Sequence, residues 1–283
     1  MNKIVQRLLT FFIGIPLILG VIFLDPSRVH IGINALTCIA SVLASLELYS
    51  LFSTKFELKN KILITILCAL QPLLTFALLY SHQNLDYSYW AYLIAVMIIL
   101  ALEVFTQKTF EKSIERLAST VFVLFYTGFL FSFIPRMTVF KEAKIFIALF
   151  LFTVFMNDSL AWFFGVLLGK NNRGLIAASP NKSIAGFLGG YLGAVLSCIL
   201  AQHFWPEVFS GAVYKPVILG LACATTAIIG DLIESVLKRS SQIKDSGNII
   251  PGRGGILDSV DSIIFTAPVY YILTFILFNP EVL

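Results

Sequence analysis

Charge is scarce in this chain. Only 13% of its 283 residues are Asp, Glu, Lys or Arg, whereas 58% are hydrophobic and the mean hydropathy is +0.89. That balance excludes a water-soluble domain, which at this size does not need so much apolar surface. Cysteine is sparse too. Cys38, Cys68, Cys198 and Cys223 each lie inside an apolar run with no metal-ligand spacing, so they read as small core hydrophobes. No polar linker, soluble domain or internal repeat is visible. The first apolar stretch follows Lys3 and Arg7 but ends at Asp25-Pro26, with no small-residue cleavage site. It reads as a retained span.

What the sequence has is long hydrophobic runs. A helix needs about 20 largely apolar residues to cross about 30 Å of hydrocarbon. Nine segments qualify: 8–24, 29–52, 62–80, 90–105, 118–134, 145–168, 184–204, 217–237 and 256–278. The last has an alternative start near Ile263, which leaves Asp258 in a loop. The fold class is therefore all-α, a polytopic integral membrane protein of about nine transmembrane helices. A single membrane domain covers 1–283, with generic apolar spans over 1–144 and the chemistry in 145–283.

Basic residues set the orientation. With the amino terminus cytoplasmic, fifteen of the twenty Lys and Arg fall inside; Arg28, Arg136, Lys141, Lys144 and Lys215 fall outside. The stretch Pro135–Lys144 places three of those cations outside, so a re-entrant segment there is the alternative. The multi-pass chain is expected in a bacterial inner membrane with its site on the cytoplasmic face. The inward bias attracts anionic headgroups and nucleotide phosphates alike, and nothing points to nucleic acid. In the first half, Glu47, Gln71 and Glu103 either line a cavity or snorkel to an interface. Pro72 is expected to kink its span.

The second half concentrates polar residues within apolar helices. Asn157-Asp158-Ser159 sits mid-span, followed by Trp162, Gly165 and Gly169-Lys170. A carboxylate at that depth needs a polar cavity or a partner. Next, Ser179-Pro180-Asn181-Lys182-Ser183 precedes Gly186, Gly189, Gly190 and Gly193. Ser179 and Ser183 can cap the coming helix, whose free amides attract anions, and Lys182 adds a full charge. The glycines are best read as a close helix-packing face, which makes a homodimer an expectation as well.

Residues 231–261 hold five of the sixteen carboxylates: Asp231, Glu234, Asp245, Asp258 and Asp261. Asp231 and Glu234 share a helix face, as would Asp258 and Asp261. Lys238, four residues after Glu234, can pair with it. Between the acidic pairs runs a loop with Lys238, Arg239, Lys244 and Arg253, and with glycines at 247, 252, 254 and 255. Glycines let backbone amides approach an anion closely. Two carboxylate-bearing helices flanking such a loop suit Mg²⁺ and a polyphosphate. The residues alone support phosphoryl or nucleotidyl transfer at a membrane face, with an acceptor arriving through the bilayer, and nothing finer.

The motifs resemble those of the phosphatidate cytidylyltransferases (CDP-diacylglycerol synthases). The segment Ser235-Val-Leu-Lys238-Arg239, then Lys244-Asp245, then Pro251-Gly-Arg253-Gly-Gly255 and Asp258-Ser259-Val-Asp261, is similar to the family's main signature. Gly230-Asp231-Leu-Ile-Glu234, Asn157-Asp158 and Ser179-Pro180-Asn181-Lys182-Ser183 also match. Three positions depart: Arg253 replaces a His, Ser259 an Arg and Ala185 a Glu. Arg253 is expected to supply the charge missing at Ser259.

The resemblance implies transfer of the cytidylyl group from CTP to phosphatidate, with Mg²⁺ and room for a second cation. It implies Asp231, Asp258 and Asp261 as metal ligands, with Lys244 and Asp245 beside them as catalytic residues. Lys182, Ser183, Ser235, Lys238, Arg239, Arg253 and Glu234 would bind substrates, and Asp158 would orient a cation or the cytidine ribose. Two other classes remain open. One is a related lipid-phosphate enzyme, such as a polyprenol kinase or a CDP-archaeol-type synthase. The other is a transporter, which broken helices and midplane carboxylates would fit.

Overall fold

The computed structural model describes residues 3–27, 29–252 and 254–282. Its helices are α1 (Lys3–Leu24), α2 (Ile31–Phe52), α3 (Lys61–Tyr80), α4 (Tyr87–Thr106), α5 (Ser113–Leu124), α6 (Phe133–Met137), α7 (Ala143–Leu167), α8 (Ile184–Phe204), α9 (Tyr214–Ser240) and α10 (Leu257–Phe278). A π turn at Phe125–Phe129 and a 3-10 turn at Leu130–Ser132 join α5 to α6.

Among the described residues, eight helical stretches are long and apolar enough to cross a membrane, counting Ser113–Met137 as one. The protein is thus an all-α integral membrane protein. The expected count of nine is not confirmed, because the described apolar part of α1, Ile13–Leu24, is shorter than a span. The stretch expected as a loop from Pro135 also differs. Pro135 and Arg136 lie within α6, and Arg136 is 2% exposed. Its guanidinium donates to the Leu85 carbonyl at 3.1 Å and to Ser88, and stacks 3.9 Å above the Tyr89 ring. It is a buried anchor, not a loop cation.

The chain forms two compact units, one of Met1–Arg136 with Ser240–Ser259, the other of Met137–Arg239 with Val260–Leu283. In the first, α3 starts where Asn60 caps the amides of Ile62 and Leu63 at 2.9 and 3.2 Å. The π turn displaces carbonyls from the helical ladder, and Ser41 of α2 donates to one of them, Thr127 O, at 2.6 Å. Glu103 does not snorkel. It is 3% exposed and pairs with Lys59 at 2.6 Å and Arg116 at 2.7 Å. Arg116 passes the charge on to Glu57 at 2.9 Å.

In the second unit, α8 lies backbone to backbone on α7. A Cβ at Gly193 would stand 2.5 Å from the Met156 carbonyl oxygen, and one at Gly189 would stand 2.6 Å from that of Leu160. The glycine face therefore packs within the chain, so the reason for expecting a homodimer is already spent on α7. Farther along, α9 meets α10, where Ser262 donates to the Ala227 carbonyl at 3.1 Å. Gly230 allows this approach; a Cβ there would lie 2.7 Å from the Asp261 carbonyl oxygen.

Candidate active site

A pocket of about 490 Å³ opens in the second unit. Asn157, Asp158 and Trp162 of α7 line it, with Arg173, Asn181, Lys182 and Ser183 from the following connector and Asp231 from α9. Each polar wall has a local cause. Asn157 is 2% exposed and donates to Asp158 at 3.1 Å, which fixes the carboxylate of the next residue. Ser183 accepts from the Gly186 amide at 3.0 Å and so caps α8. Gly169 makes room for it, because a Cβ there would fall 2.5 Å from the Ser183 hydroxyl.

The α8 amides are not open to an anion, contrary to expectation. Ile184 donates to the Asn172 carbonyl at 3.0 Å, Ala185 to the Asn172 side chain at 3.4 Å, and Gly186 to Ser183. The side-chain cations remain for that role. Lys182 reaches Asp231 in a direct ion pair. Both groups are partly open, with side-chain exposures of 24% and 39%. Arg173, which the sequence offered only as an inward-facing cation, also lines this pocket.

The charges of Asp231, Asp158 and Lys238 all act on Asp261, which is buried on α10. Three of the expected site carboxylates thus share one neighbourhood. Glu234 is 1% exposed and pairs with Lys238 at 2.5 Å, the i to i+4 pairing the spacing allowed. Ser235 is half-buried on α9 and Arg239 is exposed near its end. Lys238 and Arg239 in that last turn complement the negative end of the helix.

The remaining expected residues belong to the first unit. Asp258 stands in the first turn of α10, so the later start near Ile263 does not hold. Its Oδ2 accepts from the Ser246 amide at 2.8 Å, the Ser246 hydroxyl at 2.9 Å and the Gly255 amide at 2.7 Å. Lys244 and Asp245 are exposed. Arg253 lies outside the described residues. Gly254 makes the turn beside it at φ +114°, exchanging backbone bonds with Ile250.

Glu47, expected to line a cavity or snorkel, instead binds backbone amides, a role the sequence did not suggest. It is 7% exposed on α2, and its carboxylate accepts from the Ile256 and Leu257 amides at 3.0 and 2.8 Å and from the Ser246 hydroxyl at 3.0 Å. The glycine-rich loop does cradle an anion here, but the anion is a carboxylate of the same chain. The loop glycines, read as room for a ligand anion, were the available signal. A Cβ at Gly247 or Gly255 would fall 2.4 or 2.3 Å from a Glu47 oxygen.

The fold and this pocket define a polytopic membrane protein with a paired acid and base lining a cavity in one of its units. The chain belongs to the cytidylyltransferase family, whose model matches residues 5–277. It is 37% identical over 159 residues to the phosphatidate cytidylyltransferase of Thermotoga maritima, covering 55% of this chain and 58% of that protein. The Bacillus subtilis phosphatidate cytidylyltransferase is 33% identical over 186 residues, covering 64% and 66%. The chloroplastic phosphatidate cytidylyltransferase 5 of Arabidopsis thaliana is 29% identical over 233 residues, covering 73% and 55%. The chain thus spans 55% to 66% of the length of these relatives.

Proposed function

We propose that the protein transfers the cytidylyl group of CTP to phosphatidate, giving CDP-diacylglycerol and diphosphate. The relatives' shared name supports the substrates. The observation that carries the reading is the Lys182–Asp231 pair in a half-open pocket, with Asp158 lining the same pocket and the Asp261 carboxyl in electrostatic range. The bias of fifteen basic residues to one side supports a cytoplasmic site. A bacterial inner membrane is the proposed location.

A phosphatidate phosphate oxygen forms the new bond to the α-phosphorus of CTP. The bond from that phosphorus to the bridging oxygen breaks, and its electron pair leaves with diphosphate. The attacking oxygen is already anionic at neutral pH, so the protein needs no strong base and acts by positioning and charge neutralisation. Lys182 and Arg173 are placed to neutralise phosphate oxygens. Asp158, held by Asn157, orients the ribose or a cation.

The donor set fits Mg²⁺, a hard cation that takes carboxylate oxygens. Among the described residues, no three His, Cys, Asp or Glu side chains stand close enough to enclose a metal between them. Mg²⁺ usually takes one or two carboxylates and completes its shell with substrate phosphates and water. Asp231 and Asp261 would hold it. Asp258, the third proposed ligand, already has Oδ2 engaged by three donors. Bound there, Mg²⁺ would offset charge on the phosphates.

The test is product identity. With CTP labelled at the α-phosphate, the purified protein should move label to phosphatidate and release diphosphate only when Mg²⁺ is present. Phosphorylation of the lipid with release of CDP would instead identify a kinase.

A further inference from the structure

Glu47 is a carboxylate buried in an apolar helix, the kind of group that lipid disfavours unless it has a specific task. Its partners are 199 to 210 positions away in sequence, yet it takes the amides of Ile256 and Leu257 at the start of α10 through both oxygens, with a third bond from Ser246. Two glycines keep the space it occupies clear. Ser241 adds a second tie to the same helix, donating to the Leu51 carbonyl at 3.1 Å. The far side of the loop is closed by Asp258, which binds Ser246 and Gly255. The basic segment 240–257 is therefore pinned to α2.

We propose that Glu47 is a positioning residue for nucleotide binding: within the first unit it fixes the segment that carries Lys244, so that this ammonium is held in a preset position for a phosphate. The positioning role rests on the cytidylyl-transfer reading; the anchorage itself does not. Glu47→Gln keeps the shape but replaces one acceptor oxygen by a donor that opposes an amide N–H. Gly255→Ala keeps the charge but intrudes on the carboxylate.

Hydrogen exchange of the detergent-purified protein reads the anchorage directly. In both variants amides 246–257 should exchange about tenfold faster or more, while 143–167 in the other unit stay unchanged. The KM for CTP should rise about tenfold to a hundredfold, with kcat changing less, and Glu47→Asp should fall between Glu47→Gln and wild type. Unchanged exchange over 246–257 in Glu47→Gln overturns the proposal. So does faster exchange with an unchanged KM for CTP, because the anchor would then be structural only. If the wild type makes no CDP-diacylglycerol, the functional reading fails, and with it the positioning role, whatever the exchange shows.

Discussion

Lys182, from the connector ahead of α8, forms a direct ion pair with Asp231 of α9 in the wall of the pocket in the second unit. Under the proposed function, each residue would offer a substrate phosphate or a cation what it now offers its partner. The pair is half-open to solvent, so its contribution to stability is small, about 0–1 kcal/mol.

Replacing Lys182 should therefore harm activity far more than folding. Lys182→Ala is expected to lose about a hundredfold in kcat/KM while Tm moves by less than about 4 °C. Paired assays of cytidylyl transfer and thermal unfolding check this. A Tm drop as large as that of a core truncation would make the pair structural instead.

The α7–α8 seam should show the opposite pattern. Gly193→Val puts a side chain against the Met156 carbonyl, and overpacking of this kind costs about 1–3 kcal/mol. Thermal unfolding in detergent should show the loss. Gly14→Ala is the control, since no heavy atom lies within 4 Å of the added Cβ.

Glu103 should prove structural. Glu103→Ala leaves Lys59 and Arg116 buried without their shared carboxylate, a loss of about 3–5 kcal/mol. Protein that still folds at low temperature should keep its KM for CTP. A selective rise in that KM would place the cluster in substrate binding.

The exposed arm of this cluster responds to pH. The Lys112 ammonium, which bonds to Glu57, and the nearby Arg116 hold the Glu57 carboxyl below its usual 4.5. A lowered carboxylate value stabilises the folded state above the unfolded value, and the benefit fades as pH falls through the folded one. The Tm difference between wild type and Glu57→Gln should be small at pH 7, because the group is exposed, and should vanish in acid.

Much of this was legible in the sequence. Hydropathy located the spans because lipid demands apolar helices whatever their partners. Asp158 and Asp231 stood out because ionisable groups within apolar helices are costly, and Lys182 stood out as a full charge just ahead of a helix. The i to i+4 spacing of Glu234 and Lys238 foretold their pair. The partners of Glu47 stayed hidden because they are mainly backbone amides, which carry no side-chain signature, far along the chain. Arg136 was misplaced for a related reason: a cation after an apolar run looks like a loop residue, and only the fold brings Leu85, Ser88 and Tyr89 around it. The α8 amides looked open because Asn172, eleven residues before the cap, gives no sign that it will satisfy them.

The most direct test measures CDP-diacylglycerol formed from CTP and phosphatidate by the purified protein with saturating Mg²⁺, wild type beside Asp231→Asn. Product from the wild type is expected, with a loss of about a hundredfold or more in the variant and both proteins equally folded. No product from the wild type, or an undiminished rate in Asp231→Asn, would contradict the proposed function.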